Sequence, residues 1–69
     1  MAERLVNTLK AERERLGLTQ AALAEAVGVS RKTINTVENG VFVPSTLLAL
    51  KLAAALGRPV ETLFALDET

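Results

Sequence analysis

Two adjacent cations stand at the start of a predicted helix in the segment VSRKTINTVENG, residues 29–40. Ser30 is a favourable helix N-cap, because its hydroxyl accepts a hydrogen bond from a backbone N–H one turn later. Arg31 and Lys32 follow directly, although the partial positive charge of a helix N-terminus disfavours each exposed cation by roughly 0.3–1 kcal/mol. The arrangement becomes favourable when an anion lies beyond the helix, because the cations, the dipole and the free N–H groups then attract the same partner. The segment therefore predicts anion binding.

A helical wheel of this segment separates polar from apolar side chains. Ile34, Val37 and Glu38 fall on one side. The other side carries Lys32, Asn35, Thr36 and Asn39, with Arg31 at its flank. These cationic, amide and hydroxyl groups, with no acid among them, are the types that contact base edges in the major groove of DNA. The wheel therefore predicts a nucleic-acid-binding face.

The composition lacks most of the side chains that enzymes use for catalysis. The 69 residues contain neither cysteine nor histidine, which excludes disulfides, thiol nucleophiles, the usual zinc ligand sets and the commonest general base. Carboxylates such as Glu12, Glu25 and Glu61 are spread over different helical faces, and no serine or threonine has an obvious activating base. We expect no enzymatic activity, no cofactor and no metal.

Charge and hydropathy limit the location and the partners. Eight basic residues balance eight acidic ones, so net charge gives no support for nucleic-acid binding, and the argument depends on where the charges lie. No apolar run approaches the roughly 18 residues of a membrane span, and the N-terminal sequence lacks the apolar core of a signal peptide. We expect a cytoplasmic protein without a membrane partner.

The hydrophobic spacing predicts five helices and no sheet. Thr19, Ser30 and Ser45 are expected N-caps, while Gly17 and Gly57 are expected helix stops. The expected helices cover residues 3–16, 20–27, 31–39, 46–56 and 59–64, the first with an apolar stripe of Leu5, Val6, Leu9 and Leu16 and the last opened by Pro59. Residues 67–69 are expected to be frayed.

A turn of only three residues, 28–30, separates the second helix from the third, which predicts a steep crossing and a helix-turn-helix. Gly28 reaches positive φ without a steric penalty, and the small Ala24 lets the two helices approach closely. We expect the space between the helices to be filled by Leu23, Val27, Val29, Ile34 and Val37.

The stretch TQAALAEAVGVSRKTINTVENG resembles the helix-turn-helix of the phage repressor and Cro family, the XRE-type regulators. The segment STLLALKLAAALGRPVETLF is similar to the last two helices of that family, so the resemblance covers nearly the whole chain. It implies an all-α, five-helix, lambda-repressor-like DNA-binding domain over residues 1–69, with the helix-turn-helix at about 20–39.

The resemblance also implies roles for individual residues. The base-contacting positions would be Arg31, Lys32, Asn35 and Thr36. The phosphate-contacting positions would be Gln20, Ser30, Thr33, Asn39 and the backbone around Gly40. Arg31 could bind guanine with both arms, which is worth roughly 1–3 kcal/mol of discrimination. For Gln20 a plain surface role, and for Asn39 a local helix cap, remain alternatives.

Two charges lie on apolar sides of their helices. Arg13 falls within the stripe of the first helix, and Glu38 lies beside Ile34 and Val37 on the third. Each would be costly if buried alone, so we predict a structural ion pair, which the resemblance supports. Truncating one partner should cost roughly 3–5 kcal/mol.

Leftover apolar residues suggest self-association. Val60, Leu63, Phe64 and Leu66 are the expected dimer interface, because little chain remains to cover them. Relatives commonly dimerise at this end, which places two recognition helices about one DNA turn apart. The loop residues 41–43, VFV, are expected to pack against the fourth helix instead.

These inferences predict a sequence-specific, double-stranded DNA-binding transcriptional regulator, specifically a repressor that binds a near-palindromic operator as a homodimer. The alternative is an antitoxin or another protein-interaction module, in which the same fold holds a protein partner.

Overall fold

The computed structural model describes residues 3–68, which form five helices and one two-stranded sheet. The elements in chain order are β1 (Glu3–Asn7), α1 (Leu9–Arg15), α2 (Gln20–Val27), α3 (Arg31–Glu38), α4 (Thr46–Leu56), α5 (Val60–Leu63) and β2 (Phe64–Glu68). The expected number of helices is confirmed. The expectation that the chain contains no sheet is wrong, so the fold is mostly helical rather than all-α.

The sheet joins the two ends of the described chain. β1 and β2 are antiparallel, with Leu5 opposite Leu66, and the Arg4 guanidinium lies 3.1 Å from the Asp67 carboxylate. The first helix therefore begins at Leu9, and the expected stripe through Leu5 and Val6 belongs to a strand. Spacing over five residues fits either element, and pairing with a segment some 60 positions away decides between them.

The same pairing corrects the C-terminal end of the chain. The fifth helix ends at Leu63, because Phe64 is already extended and begins β2. Asp67 and Glu68, expected to be frayed, belong to this strand, whereas Thr69 lies outside the described residues.

Asn7 and Thr8 connect the sheet to the helices. The Asn7 side chain accepts a hydrogen bond from the Leu9 backbone N–H at 3.1 Å and donates one to the Val37 carbonyl at 3.0 Å. The Thr8 backbone N–H donates to the carbonyl of Leu63 at 2.9 Å. The start of α1 is thereby fixed to the last turn of α3 and to α5.

The boundaries of α2, α3 and α4 follow from local chemistry. The side chains of Thr19, Ser30 and Ser45 each accept a hydrogen bond from a backbone N–H three residues later, at 3.0, 3.2 and 3.1 Å. Gly28 ends α2 in the left-handed conformation at φ +76°. The predicted bounds of α2 and α4 are confirmed, and α3 ends one residue early, with Asn39 as its C-cap.

The core contains residues from every helix and from β2. Its buried members are Leu9, Leu23, Ala24, Val27, Ile34, Val37, Leu48, Leu52, Leu56, Leu63 and Phe64. Ala24 is 3% exposed, consistent with the close approach of α2 and α3. The core therefore lies behind α3 and holds that helix at the surface by one face.

The loop after α3 does not pack as expected. Val41, Phe42 and Val43 are 78%, 47% and 67% exposed, so the prediction that they pack against α4 is wrong. The Thr36 carbonyl accepts hydrogen bonds from the backbone N–H groups of Val41 and Phe42 at 2.9 and 3.2 Å. These two bonds hold the loop against the end of α3, away from the core.

Candidate nucleic-acid interface

α3 presents two chemically different faces. Ile34 and Val37 are at most 1% exposed and pack into the core. Arg31, Lys32 and Asn35 are exposed on the opposite side, whereas Thr36 is half-buried. The packing of Ile34 and Val37 into the core thereby keeps the two cations and the amide on the outer side of the helix.

The N-terminus of α3 is arranged to receive an anion. The Ser30 side-chain oxygen accepts a hydrogen bond from the Thr33 backbone N–H and lies 3.0 Å from the Thr33 hydroxyl oxygen. The first N–H groups of a helix have no intrahelical acceptor, and they point past its end. Arg31 and Lys32 are exposed beside them, so the charges and the dipole favour the same anionic partner.

The polar side chains farther along α3 are already oriented by one another. The Asn39 side-chain amide donates to the Asn35 side-chain oxygen at 3.2 Å, which leaves the Asn35 amide nitrogen as the donor for a ligand. The Thr36 hydroxyl donates to the Thr33 carbonyl at 2.9 Å, so its oxygen and methyl group are what it can present. Gly40 follows at φ +74° and is exposed.

Behind this face the structure brings Arg13 and Glu38 together. Arg13 Nε donates to Glu38 Oε2 at 2.7 Å, and Arg13 Nη2 donates to Oε1 at 3.3 Å. The two side chains are only 10% and 3% exposed. Arg13 Nη1 also donates to the Leu18 carbonyl at 2.8 Å, and the hydrogen bond to Glu38 raises the pKa of Arg13 above its usual value.

Gln20 lies in this buried network rather than on the outer face. Its side-chain amide donates to Glu38 Oε1 at 3.0 Å, and the residue is half-buried. The amide that was predicted to bind a phosphate is therefore engaged within the protein. Asn7 carries a sequence signal of its own, because an asparagine two residues before a helix commonly accepts a hydrogen bond from one of the first free N–H groups.

The predicted dimer residues are only partly available. Leu63 and Phe64 are 0% and 9% exposed, because α5 and β2 close the core of the single chain, so they offer little surface to a second copy. Val60 is half-buried, and Leu66 alone among the four is well exposed, at 64%.

A separate group of charged side chains joins α1 to the loop after α4. Glu12 Oε1 accepts hydrogen bonds from Arg15 Nε at 2.7 Å and from Arg58 Nε at 3.1 Å. The hydrogen bond from Arg15 is the main cause, and the one from Arg58 the second, of a pKa of Glu12 that lies below its usual 4.5. Among the described side chains, those of residues 4–67, neither Arg31 nor Lys32 has an ion-pair partner, so both charges are available to a ligand.

Two kinds of site are missing from the part of the chain that the structure describes. It contains no group of three or more histidine, cysteine or acidic side chains that could hold a metal ion. No helix in that part of the chain combines the length and the apolar character that a membrane span requires.

Comparison with known proteins places this geometry in a family. A helix-turn-helix family model matches residues 9–63. An uncharacterized HTH-type transcriptional regulator of Methanothermobacter thermautotrophicus is 51% identical over 61 residues, covering 87% of this chain and 88% of the relative. Antitoxin HigA-1 of Vibrio cholerae is 48% identical over 48 residues, covering 70% of this chain and 45% of the antitoxin.

The fold is also similar to solved structures. The restriction-modification controller protein C.AhdI from Aeromonas hydrophila superposes with a TM-score of 0.74 and 35% identity, covering 78% of this chain and 82% of the controller. A crystal structure of a protein from Bacteroides fragilis gives a TM-score of 0.80 at 26% identity, covering 88% of this chain and 98% of that protein.

Proposed function

The chain belongs to the XRE-type helix-turn-helix family of DNA-binding transcriptional regulators, and from that premise we propose that it is a repressor that binds a near-palindromic operator as a homodimer. The supporting observation is the outer face of α3, where Arg31 and Lys32 are exposed and have no intramolecular ion pair among the described residues. In the proposed complex this face enters the major groove.

Base contacts are proposed for Arg31, Lys32, Asn35 and Thr36. Arg31 has two guanidinium arms for the O6 and N7 acceptors of one guanine, while Lys32 has a single ammonium group for a base or a phosphate. Asn35 would donate from its amide nitrogen, because its oxygen already accepts from Asn39. Thr36, being half-buried, would contribute its methyl group and oxygen at close range.

Phosphate contacts are proposed for the residues around the two ends of α3. Ser30 and Thr33 lie at its N-terminus, and Asn39 and the Gly40 backbone lie just past its C-terminus. Such contacts fix the register of the helix without reading sequence. Gln20 is proposed to contact a phosphate through the second N–H of the amide nitrogen that donates to Glu38.

The charge balance explains why a dimer is proposed. The chain has a net charge of zero, and α3 presents only two cations. Affinity for DNA rises with the number of phosphates neutralised, so a single subunit would bind weakly. Two subunits on one operator double these contacts, and their occupancy of a promoter would block transcription.

The proposal is tested by selecting bound sequences from a random duplex pool with the full chain. We expect two half-sites centred about one helical turn apart. Arg31→Ala should relax preference at one position of each half-site and cost roughly 1–3 kcal/mol of discrimination there, measured by fluorescence anisotropy on the selected operator.

Arg58→Ala is the matched control, because it also removes one arginine charge. Arg58 lies outside α3 and is paired with Glu12 of α1. Equal affinity for random and selected duplexes would contradict sequence-specific binding. Equal effects of the two arginine variants would contradict the role of Arg31.

A second candidate, an antitoxin-like module that holds a protein partner, is supported by the similarity to HigA-1. The same titration separates the two functions, because a module that only binds protein should show no preference between selected and random DNA.

A further inference from the structure

Asn35 and Asn39 are joined by two hydrogen bonds at the C-terminal end of α3. The Asn39 backbone N–H donates to the Asn35 carbonyl at 3.0 Å, and the Asn39 side-chain amide donates to the Asn35 side-chain oxygen at 3.2 Å. Both residues are exposed, and they lie one turn apart on the outer face. The backbone bond places the two side chains next to each other, and the side-chain bond sets which atom of the Asn35 amide is left for a ligand.

The direction of the side-chain bond follows from its place in the helix. The last carbonyls of α3 have no intrahelical donor and carry a partial negative charge. Asn39 is the C-cap, so an N–H of its amide is more favourable near those carbonyls than its oxygen. A donor at the later position and an acceptor at the earlier one is also the favoured order in pairs four residues apart. Asn39 therefore donates and Asn35 accepts.

This bond changes the base edge that Asn35 matches. Asparagine commonly reads adenine, since its amide donates to N7 and accepts from the N6 amine at the same time. Here the Asn35 oxygen already accepts from Asn39, and the amide nitrogen with its two N–H groups remains for a ligand. In the major groove guanine offers two acceptors and thymine offers one, while cytosine offers only its N4 donor. A donor held in this way matches guanine or thymine and conflicts with cytosine.

We propose that Asn39 is a positioning residue for base recognition, because its bond to the Asn35 oxygen makes Asn35 a donor that selects guanine or thymine. This rests on the proposed binding of α3 to DNA. Arg31 and Asn35 are also one turn apart, which is about 6 Å along the helix axis. The base pair selected by Asn35 therefore lies within about two base pairs of the one selected by Arg31. The second N–H of the Asn39 amide remains for a phosphate.

Selection of bound sequences from a random duplex pool tests this role with the full chain and its variants. Asn35→Ala identifies the base position, because it should lose the preference there and keep the preference set by Arg31. The unmodified chain should disfavour cytosine at that position about tenfold relative to guanine or thymine, since two donors would face each other without an acceptor. Asn39→Ala releases the Asn35 oxygen, so adenine should gain about fivefold relative to guanine.

Asn39→Asp should reverse the polarity of the pair. A carboxylate only accepts, so the Asn35 amide turns over, donates to it and presents its oxygen to the base. Cytosine should then be preferred over guanine at this position by about tenfold, because its N4 amine donates to that oxygen. The added negative charge weakens binding to every duplex, so the readout is the base preference rather than the affinity. A purely structural role of Asn39 predicts no exchange of bases.

The double variant Asn35→Ala/Asn39→Asp is the matched control, because it carries the same added charge without the Asn35 amide. It should show no base preference at this position, and circular dichroism checks that all variants keep the helical fold. A cytosine preference in the double variant would contradict the role of Asn35. Unchanged base preferences in both Asn39→Ala and Asn39→Asp would overturn the role of Asn39.

The preference set by Arg31 separates these failures from failure of the proposed function. If only the positioning role is wrong, the base preference at the Arg31 position persists in the unmodified chain and in both Asn39 variants. If the unmodified chain shows no base preference at any position, sequence-specific binding itself is contradicted, and the role of Asn39 with it.

Discussion

Replacing Arg13 by methionine isolates the contribution of the buried ion pair. Methionine keeps an unbranched apolar stem of similar length, so little cavity is created. The variant loses the hydrogen bonds to Glu38 and to the Leu18 carbonyl, and it leaves a carboxylate that is 3% exposed with Gln20 as its remaining side-chain donor. Removing one partner of a buried pair costs about 3–5 kcal/mol, because the other charge stays buried and uncompensated.

That loss is large for this chain. At roughly 0.05–0.15 kcal/mol per residue, a domain of this length has about 3–10 kcal/mol of total stability. Urea denaturation followed by circular dichroism should therefore show Arg13→Met partly or fully unfolded at neutral pH, with a thermal midpoint lowered by more than about 12 °C. Arg15→Ala is the surface control, because Arg15 is 41% exposed, and breaking its pair with Glu12 should cost at most about 1 kcal/mol.

A double variant distinguishes loss of charge balance from loss of packing. Arg13→Met/Glu38→Leu removes both charges and fills the same space with apolar groups, which in buried pairs is often neutral or stabilising. We expect it to recover most of the stability lost in Arg13→Met. The reasoning is refuted if Arg13→Met costs no more than Arg15→Ala, or if the double variant is as unstable as the sum of the single changes.

Two further predictions concern stability. Gly28→Ala should destabilise the chain by roughly 1–2 kcal/mol in urea denaturation, because φ is +76° and the added methyl meets no atom within 4 Å, so the loss is purely conformational; an unchanged midpoint would contradict this. Glu12 has a pKa below its usual 4.5 in the folded chain, so its contribution is present above about pH 4.5 and is lost as pH falls through the folded value. In Glu12→Gln the free energy of unfolding should therefore fall less steeply between about pH 6 and pH 3 than in the unmodified chain. The same dependence on pH in both chains would contradict the role of Arg15 and Arg58.

The helix-turn-helix could be predicted because its determinants are local. A capping hydroxyl, a short apolar period and a terminal glycine each act within one or two turns, so Thr19 and Gly28 define α2, and Ser30 defines the start of α3. The sidedness of α3 follows from the same short period, since Ile34 and Val37 must share a buried face. None of these signals requires knowledge of distant parts of the chain.

The errors concern contacts between distant segments. Leu5 and Val6 fit a helical stripe equally well, and only pairing with β2 makes them a strand. That pairing and α5 together bury Leu63 and Phe64, which counting the remaining chain could not predict. The loop at 41–43 was misplaced for a related reason, because backbone bonds to the Thr36 carbonyl, not hydropathy, determine its position.

The buried ion pair also determines the charge that α3 presents. Glu38 belongs to the same helix as Arg31 and Lys32, and an exposed carboxylate there would oppose a phosphate backbone. Arg13 and Gln20 hold it on the core side, so the outer face keeps two cations and no anion. A chain with no excess of positive charge can therefore present a cationic surface because it buries the opposing acid, and stability and the proposed recognition depend on the same contact.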